Sequence, residues 1–142
     1  MIVPWIKVAE WRCTTCGRCC RDYKVPLTFG EYIYFRKFGA VEERRKYYLR
    51  KVGGRCIFQY ENLCGIQSKK PIACKLFPFL IRERCKDERA LFEYNGDEYF
   101  VFVNTYCRNI RYGTPTLKFK EIIKEAVEIY TGRKKRQVLL TS

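Results

Sequence analysis

The clearest pattern of apolar and polar positions in the chain is strand-like. Leu91-Phe92-Glu93-Tyr94 and Tyr99-Phe100-Val101-Phe102-Val103 are rich in aromatic and β-branched residues, which suit a pleated, half-buried surface. Asn95-Gly96 between them favours a tight hairpin. A helical period follows: Phe119, Ile122, Ile123, Ala126, Val127 and Tyr130 share one face of a helix expected from about Pro115 to Tyr130. Thr114 is the expected N-cap, Pro115 fits the first helical position and Gly132 ends the helix. An earlier helix is expected from Thr28, because Thr28-Phe29-Gly30-Glu31 spells a capping box. Its apolar face would carry Phe29, Tyr32 and Ile33, with Arg36 at its end. A second helical stretch is expected from Val41 to Arg50, stopped by Gly53-Gly54. Residues 1–12 read as a short apolar lead-in, and residues 55–80 as loop punctuated by Pro71 and Pro78. No internal repeat or linker is visible. The expectation is a small α+β fold, one domain over residues 1–142, with helices and a β-hairpin around a cysteine metal centre. Its motif core is 13–107, and the C-terminal helix and basic tail occupy 115–142.

The metal centre enters this picture through the nine cysteines. Cys13-x₂-Cys16-x₂-Cys19-Cys20 supplies four sulfurs within a few residues, and Gly17 gives the loop freedom to wrap around an ion. Thiolate is a soft ligand, suited to zinc and to iron–sulfur clusters. Adjacent Cys19 and Cys20 diverge, so they more naturally serve two centres, or one of them packs instead. Cys56, Cys64, Cys74 and Cys107 bring the candidate ligands to eight, enough for two four-thiolate sites. The simplest arrangement joins Cys13, Cys16 and Cys19 with one distal cysteine, and Cys20 with the other three. A single centre is the alternative. Cys85, in Arg84-Cys85-Lys86, reads as a surface thiol outside the ligand set. The missing second C-x₂-C knuckle argues against a common zinc arrangement. The C-x₂-C-x₂-C triplet resembles the ferredoxin run that holds a four-iron, four-sulfur cubane, although no C-x₃-C-P follows. Iron–sulfur cluster and zinc both remain open, in one or two centres.

Composition adds charge. The chain carries 29 Lys+Arg against 15 Asp+Glu, a formal net charge of +14. Two four-thiolate sites would lower this to roughly +10, still strongly basic. So much positive charge self-repels and points to an anionic partner. Lys69, Lys70 and Lys75 flank the Cys74 segment, and Arg133, Lys134, Lys135 and Arg136 form a basic tail; these are the candidate nucleic-acid contacts. Phe77 and Phe79 are expected to pack around the metal site. The sequence contains no His, so the commonest general base is missing, and no catalytic constellation is visible. No secretory signal and no apolar run of about 20 residues is apparent, which gives a cytoplasmic expectation and favours ligands over disulfides. Abundant Lys, Arg and Glu with few Asn and Gln lean toward a thermophile.

The motifs resemble the zinc- or iron-chelating cysteine-cluster family, CxxCxxCC or YkgJ-like. The matching parts are Cys13-x₂-Cys16-Gly17-x-Cys19-Cys20, Pro26-Leu27-Thr28, Cys56-Ile57-Phe58, Cys64-Gly65-Ile66 and the run from Lys70-Pro71 through Cys74 to Phe77-Pro78-Phe79. The family usually has Arg where this chain has Lys70 and Lys75, and Lys replaces a guanidinium fork only as a point charge. The resemblance spans Cys13 to Cys107 and implies metal chelation by the matching cysteines. It implies no particular reaction; one relative, a flagellin lysine methylase, carries a similar cluster. Two functions are therefore expected as alternatives. One is a non-enzymatic metal-binding module docking on RNA or a ribonucleoprotein through its basic surface. The other is an iron–sulfur redox or cluster-carrying protein with a protein partner, for example a protein lysine methylase.

Overall fold

The structure is a computed structural model, and it describes residues 1–12, 24–60, 63–64, 70–107 and 109–133. The fold is α+β. Along the chain come β1 (Ile2–Pro4), β2 (Val8–Trp11), α1 (Phe29–Arg36), β3 (Val41–Arg44), β4 (Lys46–Leu49), β5 (Lys51–Val52), β6 (Arg55–Cys56), β7 (Gln59–Tyr60) and β8 (Leu63–Cys64). They are followed by α2 (Ile72–Leu76), β9 (Phe79–Arg82), β10 (Leu91–Tyr94), β11 (Asp97–Asn104), β12 (Ile110–Tyr112) and α3 (Leu117–Tyr130). The chain divides into two compact units, Met1–Thr14 with Leu76–Ser142, and Thr15–Lys75.

The first unit is built on β11. Antiparallel β9 lies along one edge, pairing Phe79 with Val103 and Arg82 with Phe100. The opposite edge is shared in tandem by β1, against Phe102–Asn104, and β10, against Asp97–Phe100. The β10–β11 turn is the expected Asn95-Gly96, with both residues at positive φ, 50° and 83°. Residues 1–12 are not a lead-in: β1 joins this sheet and β2 pairs with β12. Their short apolar stretches lie too close to Pro4 and the following 3-10 turn to show a strand period in sequence. α3 packs on β2 and β9. It buries Phe119, Ile122, Ile123, Ala126 and Val127, as the period predicts, together with Ile129 and Glu125. Its N-cap is Thr116, not Thr114: the Thr116 hydroxyl accepts from Phe119 N at 3.1 Å, which moves Pro115 outside the helix. Two threonines flank Pro115, and only the second has the extended backbone followed by helical residues that a cap requires.

In the second unit, α1 begins at the expected capping box. Thr28 Oγ1 accepts from Glu31 N, and Glu31 Oε1 accepts from Thr28 N. The buried face differs from the expected one. Tyr32 and Phe35 are buried, while Phe29 and Ile33 are exposed. The larger correction is Val41–Arg50, which is the β3–β4 hairpin and not a helix. Glu42 to Lys46 are good helix formers, but the residues that decide are Val41, Tyr47, Tyr48 and Leu49. As a strand, β4 buries Leu49 and stacks Tyr47 on Tyr32 with ring centroids 4.0 Å apart. Its other edge is taken by Val25–Leu27, through Leu27 N to Tyr47 O at 2.8 Å and Leu49 N to Val25 O at 3.0 Å. Tertiary pairing thus overrides local propensity. Gly53-Gly54, both at positive φ, turn β5 into β6. The stretch expected as loop, 55–80, holds β6, the β7–β8 ladder, α2 and the start of β9.

Candidate metal centre

The described core of the second unit includes a sulfur. Cys56 ends β6 opposite Lys51 and is 8% exposed, within a cluster of Val25, Leu27, Phe35, Ala40 and Leu49. Phe58, Ala73 and Cys74 pack against that cluster, so Cys56 and Cys74 belong to one neighbourhood. Cys74 is half-buried on α2. This short helix is held by Pro71, whose carbonyl accepts from the backbone N–H of Cys74 and of Lys75, both at 3.0 Å.

Glu31 ties α2 to α1. One carboxylate oxygen closes the capping box, and the other, Oε2, accepts from Ile72 N at 2.7 Å. A single side chain therefore satisfies the N-termini of two helices, the second being the one that presents Cys74. The sequence shows the first role through the four-residue box; the second spans 41 positions and leaves no local signal.

In the first unit, Cys107 is a half-buried thiol outside any disulfide. It follows β11 after a turn in which Asn104 Oδ1 accepts from Tyr106 N at 2.9 Å. The indole Nε1 of Trp11 donates to Cys107 Sγ at 3.2 Å. An N–H aimed at sulfur fixes the orientation of the Cys107 side chain. Trp11 is itself fixed edge-on to Phe79, with centroids 5.4 Å apart, and Phe79 packs on Phe119 at 6.0 Å. Phe79 is thus a core residue between Trp11 and Phe119. Trp11 as the donor to Cys107 was not visible in the sequence.

Cys64 lies in β8. Cys13, Cys16, Cys19, Cys20, Lys69, Lys134, Lys135 and Arg136 lie outside the described residues. Among the described residues no three Cys, Asp or Glu converge on one point. The donors that are described nevertheless suit a soft metal: sulfur atoms, largely withdrawn from water, one of them receiving an N–H. Cys85 is half-buried, with its Sγ accepting from Asp87 N at 3.5 Å. Of the other candidate contacts, Lys70 and Lys75 are half-buried, and Arg133 is exposed with its guanidinium 5.3 Å from the Tyr94 ring centroid.

A family model matches residues 12–108, about two thirds of the chain, and is described as "Putative zinc- or iron-chelating domain". The chain belongs to the CxxCxxCC family. The match runs from just before the Cys13 loop to just after Cys107. It takes in all nine cysteines of this CxxCxxCC protein and leaves α3 and the basic tail outside. No curated protein and no solved structure matches the chain. No helix among the described residues is long and apolar enough to cross a membrane.

Proposed function

We propose that this protein is a non-enzymatic metal-binding module that docks on RNA or a ribonucleoprotein. Family membership supplies zinc or iron chelation; the RNA reading rests on the net charge of +14. Cys13, Cys16, Cys19, Cys20, Cys56, Cys64, Cys74 and Cys107 would hold the metal, as zinc or an iron–sulfur cluster in one or two centres. The bound metal would organise the loops and contribute folding free energy directly. Lys69, Lys70, Lys75 and the run Arg133–Arg136 would make phosphate contacts.

Binding of a structured RNA measured against salt tests the reading. Six or more phosphate contacts predict a loss of about 10³-fold in affinity between 50 and 200 mM salt. An affinity flat over that range rejects it. A second reading, an iron–sulfur redox or cluster-carrying protein with an enzyme partner, is favoured by the ferredoxin-like spacing of Cys13, Cys16 and Cys19. Anaerobically purified protein that is brown, with iron and acid-labile sulfide, supports this second reading; colourless protein with stoichiometric zinc removes it.

A further inference from the structure

The first unit carries a cleft of about 300 Å³ between β2, β12 and the first turns of α3. Its floor is apolar and firmly held: Trp11, Phe119 and Ile122 are each at least 94% buried, and Trp11 and Phe119 are joined through Phe79. Its rim carries three exposed cations, Arg12, Arg111 and Lys118. The one carboxylate on the rim is Glu10, 3.4 Å from Arg111. Both partners of that pair are at least half-exposed. The pair is therefore weak, and Arg111 remains available to a stronger anion. Among the described residues, Arg12 and Lys118 have no ion pair.

Three cations against one carboxylate around an apolar floor call for a ligand with two parts. An inorganic ion would meet the rim and leave the floor wet. A neutral apolar molecule would leave the rim cations with nothing to bind. The volume is at the small end of ligand pockets, suited to a single ring or short chain with one head group. We propose that this cleft binds a small ligand joining one apolar group to one phosphate or carboxylate. Its floor residue Trp11 also donates to Cys107 Sγ, so the metal-loaded protein is the form to test, and the proposal stands whether or not the protein docks on RNA.

The test is calorimetric titration of the full, metal-loaded protein with phenyl phosphate, benzoate, inorganic phosphate and benzyl alcohol at low salt. Phenyl phosphate, benzoate or both bind with Kd on the order of 1 mM or tighter, and the tighter of the two identifies the head group. Inorganic phosphate binds about tenfold more weakly, because it forgoes the floor. Benzyl alcohol gives no saturable heat. Arg111→Gln and Lys118→Gln each weaken the tighter anion about fivefold. Lys124→Gln, an exposed change elsewhere on α3, has no effect. Glu10→Gln tightens binding about threefold, a gain that damage to the fold cannot mimic. The proposal is overturned if neither organic anion binds by about 10 mM. It is also overturned if Arg111→Gln and Lys118→Gln behave like Lys124→Gln.

Discussion

The two compact units build their interiors from different materials. Met1–Thr14 with Leu76–Ser142 has an eight-residue central strand, a 14-residue helix and an interior in which Val8, Val101, Val103, Phe119, Ile123 and Val127 are almost wholly buried. In Thr15–Lys75 no described strand exceeds four residues. Its described core has six buried members, of which one is Cys56, with Cys74 packed at the edge. A unit of about 60 residues buries too little apolar surface to be secure on that alone and commonly relies on a metal or disulfide staple. Sulfur thus makes up part of the weaker core, where Cys56 and Cys74 are candidate ligands.

Metal removal is the sharpest way to break this comparison. Chelation should cost Thr15–Lys75 much of its stability, with amides of β3, β4 and β6 losing hydrogen-exchange protection by about 100-fold or more. Amides of β11 and α3 should keep most of theirs. Equal loss in both units would mean that the first unit depends on metal as much as the second. The converse perturbation is Ile123→Ala, which empties space at a fully buried position on α3. It should destabilise the first unit by about 3 kcal/mol. Metal bound per chain should stay near the wild-type value, and a drop in stoichiometry would show that the packing of the first unit, which carries Cys107, is needed to hold the metal.

How much of each unit was legible in the sequence follows the same division. The β10–β11 hairpin and the face of α3 could be read from residue order because long elements repeat their period and carry their own turn residues. Even there the cap shifted from Thr114 to Thr116, a choice between two similar residues that only the backbone settles. In the second unit the capping box was legible, being local, but of the expected face only Tyr32 is buried, beside Phe35. Phe29 and Ile33 look like an apolar face, whereas Tyr32 is the side chain that finds a stacking partner in Tyr47. Tyr47 in turn lies in a strand that the run Glu42–Lys46 disguised as helix. Short elements hold by contacts distant in sequence, and those contacts leave no period. The cysteines were legible as donors from their type and spacing. The Trp11 indole and the Glu31 carboxylate were not, since each acts across a long stretch of chain.

Glu31 gives a smaller and more local test. Glu31→Ala removes acceptors from Thr28 N and from Ile72 N together, and should destabilise the second unit by about 1–2 kcal/mol. Thr28→Ala removes only the acceptor for Glu31 N and should cost about 1 kcal/mol. Release of metal to a competing chelator should quicken in Glu31→Ala and much less in Thr28→Ala, because only Glu31 reaches the helix that carries Cys74. Equal release rates would show that the bond to Ile72 does not position Cys74.

The mildest test uses two tyrosines, one from each unit, whose pKa values are both raised for different reasons. Tyr32 donates to Glu43, and that hydrogen bond is the main cause of its upward shift, ahead of burial and the Glu43 charge. Tyr130 is raised first by burial, with the charge of Glu83 and the nearby Tyr99 adding less. In both cases the folded chain holds the phenol proton more tightly than the unfolded one. The resulting stability is full below the ordinary tyrosine pKa of about 10 and is lost as pH rises through the higher folded value. Tyrosine-labelled NMR titration then separates the causes. Glu43→Gln should return Tyr32 most of the way to the ordinary range, since it removes the charged acceptor. Glu83→Gln should leave Tyr130 mostly raised, since the apolar surroundings remain. A Tyr130 normalised by Glu83→Gln as fully as Tyr32 is by Glu43→Gln would mean that its shift comes from charge. Burial of Tyr130 in the first unit would then not be what holds that proton.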